Sequence, residues 1–122
     1  MMSLAGELSA LYQLWRTLTE DEGEAIASEA WNDVEQCQNA KSRIQPRIVE
    51  VSRRLTADAH DRQFRPVVNA LMELERRNSA LLRDKRQSAD RQKESLDRSS
   101  RHLRQLHKSY VPPAKAHWHS YS

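Results

Sequence analysis

The longest helix-compatible stretch of this sequence runs from Pro66 to Tyr110 and limits what the chain can fold into. After Pro66 it contains neither glycine nor proline across its 45 residues. Proline suits the first position of a helix, because the N–H group that it lacks would have no intrahelical partner there. Two prolines follow at positions 112 and 113, and proline cannot continue a helix. We therefore predict one helix over residues 66–110, about 67 Å long.

Two sets of side chains recur at steps of three and four residues along this helix, which is the spacing of one helical face. The first set comprises Val67, Leu71, Leu74, Asn78 and Leu81. The second set comprises Leu96, Ser99, Leu103, Leu106 and Tyr110. Between them, residues 83–95 carry no large apolar side chain. We expect the first set to pack on the rest of the chain, and the second to become ordered when a partner covers it.

The segment before Pro66 carries two further helical repeats. The first predicts a helix over residues 2–27 and the second a helix over residues 29–57. Pro46 lies inside the second helix and should kink it without shifting the repeat, and the polar residues 56–65 are interpreted as a connection. The first repeat comprises Leu4, Leu8, Leu11, Trp15, Leu18, Glu22 and Ala25. The second comprises Trp31, Val34, Cys37, Lys41, Ile44, Ile48, Val51 and Leu55.

These repeats predict an all-α fold, in which the first two helices form an antiparallel hairpin and the third completes a coiled-coil-like three-helix bundle. The first two helices should be about 39–44 Å long, so the C-terminal end of the third is expected to protrude beyond them. Residues 1–111 would form a single helical domain. Residues 112–122 contain two prolines and no periodicity, and we expect them to be a disordered tail.

Charge is distributed unevenly along the chain, although the net charge is only +3. Residues 1–36 hold eight acids and one base, giving −7, and residues 37–122 hold nineteen bases and nine acids, giving +10. One interpretation is an acidic helix packed beside a basic one, each exposed pair contributing roughly 0–1 kcal/mol. The other is a basic arm for nucleic acid or for an acidic partner. Acids interspersed in the basic region favour the first.

No catalytic, metal-binding or cofactor-binding pattern is evident, so the sequence predicts a protein that is not an enzyme. Cys37 falls on the second helical repeat and is interpreted as a small buried side chain. The histidines lack the spacing and the partners of a metal site; they are His60, His102, His107, His117 and His119. The single cysteine suits a reducing cytosol, no apolar run is long enough to insert in a membrane, and the basic region lacks interleaved aromatic residues for stacking nucleic-acid bases.

Three features together resemble the FlgN family of flagellar export chaperones, over about residues 4–111. The first is the early leucine repeat followed by the sequence EDEGEAI at residues 20–26. The second is a short break before Trp31 and the residues Val34, Cys37 and Lys41. The third is the sequence LMEL at residues 71–74, followed by Asn78, by the leucines at positions 81 and 82, and by a tyrosine near the C-terminus.

The resemblance implies a bacterial cytosolic chaperone without ATPase activity. Such chaperones bind the C-terminal helical region of the hook–filament junction proteins FlgK and FlgL, keep them unassembled and deliver them to the type III export apparatus. The family binds clients through its C-terminal helical region, which corresponds here to Leu96, Ser99, Leu103, Leu106 and Tyr110. Related chaperones dock on the cytosolic domain of the export gate through a tyrosine, and Tyr110 is the matching position.

Two alternatives remain open from the residues alone. The second set of side chains could pair with another copy of itself, which would make the protein a self-associating coiled-coil homodimer. The basic residues of the long helix could instead bind nucleic acid without sequence specificity, in which case binding would fall steeply with salt.

Overall fold

A computed structural model describes residues 3–109 and shows three α-helices with no strand in that range. Helix α1 spans Leu4–Ala27, α2 spans Trp31–Arg54 and α3 spans Ala57–Ser109. The all-α class predicted from the helical repeats is therefore confirmed. The predicted tail at residues 112–122 lies outside the described residues.

The hydroxyl of Ser3 caps the beginning of α1, because its Oγ accepts a hydrogen bond from the backbone N–H of Gly6 at 3.0 Å. At the other end, Glu29 has the left-handed conformation with φ of 59°. The N–H groups of Glu29 and Ala30 donate to the carbonyls of Ile26 and Ala25, at 3.0 and 2.9 Å. This is the Schellman pattern of helix termination, and it turns the chain into α2 without a glycine.

Helix α3 begins at Ala57, whereas the sequence predicted a start at Pro66. Thr56 caps the earlier start, since its Oγ1 accepts from the N–H of Ala59 at 3.2 Å and its carbonyl from the N–H of His60 at 2.9 Å. Phe64 then becomes almost fully buried, so the segment interpreted as a connection is helical and anchored. Pro66 lies inside the helix, where it removes only one backbone hydrogen bond.

The described residues fall into two units, residues 3–85 and residues 86–109. We call the described part of the first unit, residues 3–85, the bundle segment. It contains α1, α2 and the first part of α3. We call residues 86–109 the C-terminal segment, and it consists of the remainder of α3.

Two hydrophobic clusters hold the bundle segment together. The larger consists of Leu8, Tyr12, Val51, Phe64 and Leu71, drawn from all three helices. The smaller consists of Ala25, Ile26 and Val34, with Leu81 and Leu82 of α3 packed against it. Trp31 and Cys37 differ from the prediction, because Trp31 is exposed and Cys37 is only partly buried. No helix within residues 3–109 has an apolar stretch long enough to cross a membrane.

Candidate partner-binding surface

A seven-residue repeat runs along α3 through both units. Two positions of the repeat form its core. The first is occupied by Leu71, Asn78, Lys85, Gln92, Ser99 and Leu106. The second is occupied by Glu75, Leu82, Ala89, Leu96 and Leu103. Positions spaced in this way form the narrow contact surface of a coiled coil. The two units can therefore be compared position by position along one repeat.

In the bundle segment, α1 covers this repeat. Asn78 Nδ2 donates to the carbonyl of Thr19 at 2.8 Å and to Glu22 Oε1 at 3.1 Å. Gly23 lies beside it, and a Cβ on Gly23 would meet Asn78 Oδ1 at 2.7 Å. The absence of a side chain at Gly23 thus allows α1 and α3 to approach each other closely at this level.

In the C-terminal segment, the same repeat is exposed. Leu96 is 68% exposed, Leu103 is 66% exposed and Leu106 is 52% exposed. We call these three residues the leucine stripe. Ser99, the fourth predicted client-binding residue that the structure describes, is also exposed on α3. Tyr110, predicted both for client binding and for export-gate docking, lies outside the described residues.

The C-terminal segment is strongly basic. Residues 86–109 contain seven Arg or Lys residues and three Asp or Glu residues, giving a charge of +4. The acids are Asp90, Glu94 and Asp97, and no Asp or Glu follows Asp97 in the sequence. Any partner of the leucine stripe therefore meets a helix with a positive potential around it.

A cluster of charged and polar groups lies inside the bundle segment, and sequence reasoning had not predicted it. Lys41 Nζ contacts the carboxylates of both Glu22, at 3.3 Å, and Glu75. Glu75 also accepts from Trp15 Nε1 at 3.2 Å and from Thr19 Oγ1 at 3.1 Å. The sequence did contain an indication of this cluster, because Glu22 and Lys41 are charged residues at apolar positions of the first two repeats. This cluster joins all three helices.

Two of the surface grooves of the bundle segment differ in chemical character. A groove of about 720 Å³ between α2 and α3 is lined largely by apolar residues, including Val49 and Met72. A second, of about 500 Å³ between α1 and α2, is acidic and contains Cys37. Partial burial and the carboxylates of Asp21, Glu22 and Asp33 raise the pKa of the Cys37 thiol. A thiol with a raised pKa is a poor nucleophile near neutral pH, so the groove offers no evident covalent chemistry.

Within residues 3–109 there is no group of His, Cys, Asp and Glu side chains that could hold a metal ion. His60 forms a hydrogen bond through Nε2 with the hydroxyl of Tyr12, at 2.8 Å, beside the larger hydrophobic cluster. Comparison of the chain with models of protein families, with curated proteins and with solved structures finds no match.

Proposed function

We propose that this protein is an ATP-independent export chaperone of the bacterial cytosol, similar to the FlgN family, and that it is not an enzyme. Its clients would be the hook-associated proteins FlgK and FlgL, bound through their C-terminal helical regions and delivered unassembled to the type III export apparatus. The leucine stripe would contact the client, together with Ser99 and Tyr110. Docking on the cytosolic domain of the export gate would involve Tyr110.

The observation that supports this proposal most directly is the exposure of the leucine stripe at coiled-coil spacing. Leu96 and Leu103 are seven residues apart, and each leaves about two thirds of its surface accessible. A second amphipathic helix laid along this face would bury the leucines and needs neither a pocket nor a nucleotide. Burial would contribute about 1.5–3 kcal/mol for each leucine.

The test compares two double variants of the full chain. Leu96→Ser/Leu103→Ser removes most of the leucine stripe, whereas the control Leu14→Ser/Val67→Ser removes two exposed apolar side chains from the bundle segment. Calorimetric titration with the C-terminal helical region of FlgK or FlgL should show at least about a tenfold loss of affinity for the first variant and little change for the control. Circular dichroism checks that both remain helical.

A truncation after Ser95 provides a second measurement. It should retain the helices of the bundle segment and lose client binding. Unchanged client affinity, either in the truncated chain or in the Leu96→Ser/Leu103→Ser variant, would show that the stripe is not the client-binding surface.

A second candidate function is favoured by the seven-residue spacing itself, because identical stripes can pair in a homodimer. In that case the protein would be a structural coiled coil rather than a chaperone. Analytical ultracentrifugation of the full chain at micromolar concentration, without a client, distinguishes the two. A monomer supports the chaperone, and a dimer abolished by Leu103→Ser supports the structural role.

A further inference from the structure

We infer that the leucine stripe selects an acidic amphipathic helix, one whose apolar face is flanked by Asp or Glu side chains. This inference rests on the proposed function, which requires a helical client, and adds the charge of that client. Three observations carry it: the charge of the residues around the stripe, the narrowness of the stripe, and the character of the helix that covers the same repeat in the bundle segment.

The positions that immediately flank the stripe contain no carboxylate. They are Lys93, Ser95, Ser100, His102 and His107. Asp90, Glu94 and Asp97 fall at positions of the seven-residue repeat that point away from the stripe. Most bases of the segment also point away from the stripe, so apart from Lys93 they act through the net positive potential of the segment, in which bases outnumber acids seven to three. A partner with acidic flanks is therefore attracted, and one with basic flanks is repelled.

The width of the stripe favours a helix over a membrane surface. Leu96, Leu103 and Leu106 occupy only the two positions per seven residues that a coiled coil uses, with the serine at position 99 between them. Helices that lie on membranes present a wider apolar face, usually with aromatic residues. Residues 86–109 contain no aromatic side chain other than histidine.

Self-pairing of the stripe lacks electrostatic support. In a parallel pair, the flanking positions of one copy would meet those of the other, and Lys93 would find no acid among them. Each copy would also bring a segment of charge +4 against another of the same sign. Acidic flanks on a different helix remove this repulsion, so the occupant that fits best is not a second copy.

In the bundle segment, helix α1 covers the same repeat of α3, and α1 carries a net negative charge. Helix α1 contains five Asp or Glu residues and one Arg residue, and two of those acids pair with arginines of α1 and α2. It contacts the repeat through Glu22, which accepts from Asn78 at 3.1 Å, and the turn that follows it contributes Glu29, 3.9 Å from Lys85 Nζ. We expect a client helix to meet the C-terminal segment as α1 meets the bundle part of α3.

The experiment uses the full chain and two labelled helical peptides with leucine at the coiled-coil core positions. One peptide has Glu and the other Lys at every flanking position, so neither pairs readily with itself. Fluorescence anisotropy at 0.15 M salt should show the acidic peptide binding at least about tenfold more tightly, with the ratio shrinking at 0.5 M salt. Leu96→Ser/Leu103→Ser should weaken binding of the acidic peptide by at least about tenfold.

Two charge-reversal variants test which side of the helix produces the preference for the acidic peptide. Lys93→Glu, beside the stripe, should reduce the preference for the acidic peptide by about three- to fivefold. Arg101→Glu changes the net charge equally but lies on the opposite side of the helix. It should change the logarithm of the affinity ratio between the two peptides by less than half as much as Lys93→Glu does. Equal effects of the two variants would mean that only the net charge acts, which would overturn the assigned orientation.

The remaining outcomes separate this inference from the proposed function. Equal binding of both peptides would overturn the charge preference and leave a helix-binding protein. Tighter binding of the basic peptide would also overturn it. If neither peptide binds at 100 μM while vesicles containing phosphatidylserine bind in a Leu103-dependent way, both the inference and the chaperone proposal are wrong. A Leu103-dependent dimer without peptide would likewise overturn both in favour of self-pairing.

Discussion

The bundle segment and the C-terminal segment use one seven-residue repeat of α3 in opposite ways. In the bundle segment the repeat contacts α1 through Asn78 and through Leu82, which packs against the smaller hydrophobic cluster. In the C-terminal segment Leu96 and Leu103 occupy equivalent positions and are two-thirds exposed. The difference teaches that a helical repeat specifies a face suited to another helix, and not whether the chain itself supplies that helix.

The interior charge of the bundle segment should give the largest effect on stability. Lys41→Met removes the only cation that contacts Glu22 and Glu75 within the described cluster and leaves two carboxylates facing each other. Loss of one partner from a buried ionic group typically costs about 3–5 kcal/mol. Urea unfolding of the variant should show that loss in the free energy of unfolding. The triple variant Lys41→Met/Glu22→Gln/Glu75→Gln should recover part of it, and no recovery would contradict the assigned cause.

A matched pair of leucine truncations tests the comparison itself. Leu8→Ala removes a fully buried side chain of the larger cluster and should lower the free energy of unfolding by about 2–5 kcal/mol. Leu103→Ala changes an exposed side chain and should alter it by no more than about 0.5 kcal/mol. Similar destabilisation by the two substitutions would mean that Leu103 is packed in the folded monomer, and the contrast between the segments would disappear.

The smallest of the three effects concerns the approach of α1 to α3. Gly→Ala inside an exposed helix usually stabilises by about 1 kcal/mol. At Gly23 the new methyl group would lie 2.7 Å from Asn78 Oδ1. Relief of this contact requires the Asn78 side chain to move away from its acceptors on α1, so Gly23→Ala should instead destabilise by about 1–3 kcal/mol. A double-mutant cycle with Asn78→Ser measures the coupling between the two positions. A stabilising Gly23→Ala would show that the helices have room to separate.

Helical spacing predicted the all-α class and the three helices because it depends only on local geometry. The repeats that begin at Leu4 and Trp31 led to two of the helices, and the absence of glycine and proline after Pro66 led to the third. The start of α3 was wrong because it depends on the Thr56 cap and on the burial of Phe64. Whether a flanking polar segment is helical is decided by a few contacts with the other helices.

The candidate surface was predictable in part for the same reason. Leu96, Ser99, Leu103 and Leu106 were identified from spacing, and the structure shows them exposed on α3. The groove between α2 and α3 was not predictable, because residues such as Val49 and Met72 line it only after three helices assemble. The role of Lys41 was missed because a charge at one apolar position looks like an exception until its partners on two other helices are known.

The contacts of Lys41 have a consequence for how this sequence can diverge. A neutral residue at position 41 leaves the carboxylates at positions 22 and 75 without their cation, and neutral residues at both 22 and 75 leave the Lys41 ammonium unpaired. Simultaneous replacement of all three by apolar residues of similar volume is tolerated in protein interiors. Homologous chains should therefore keep a lysine at position 41 together with at least one of the two glutamates, or lose all three charges together.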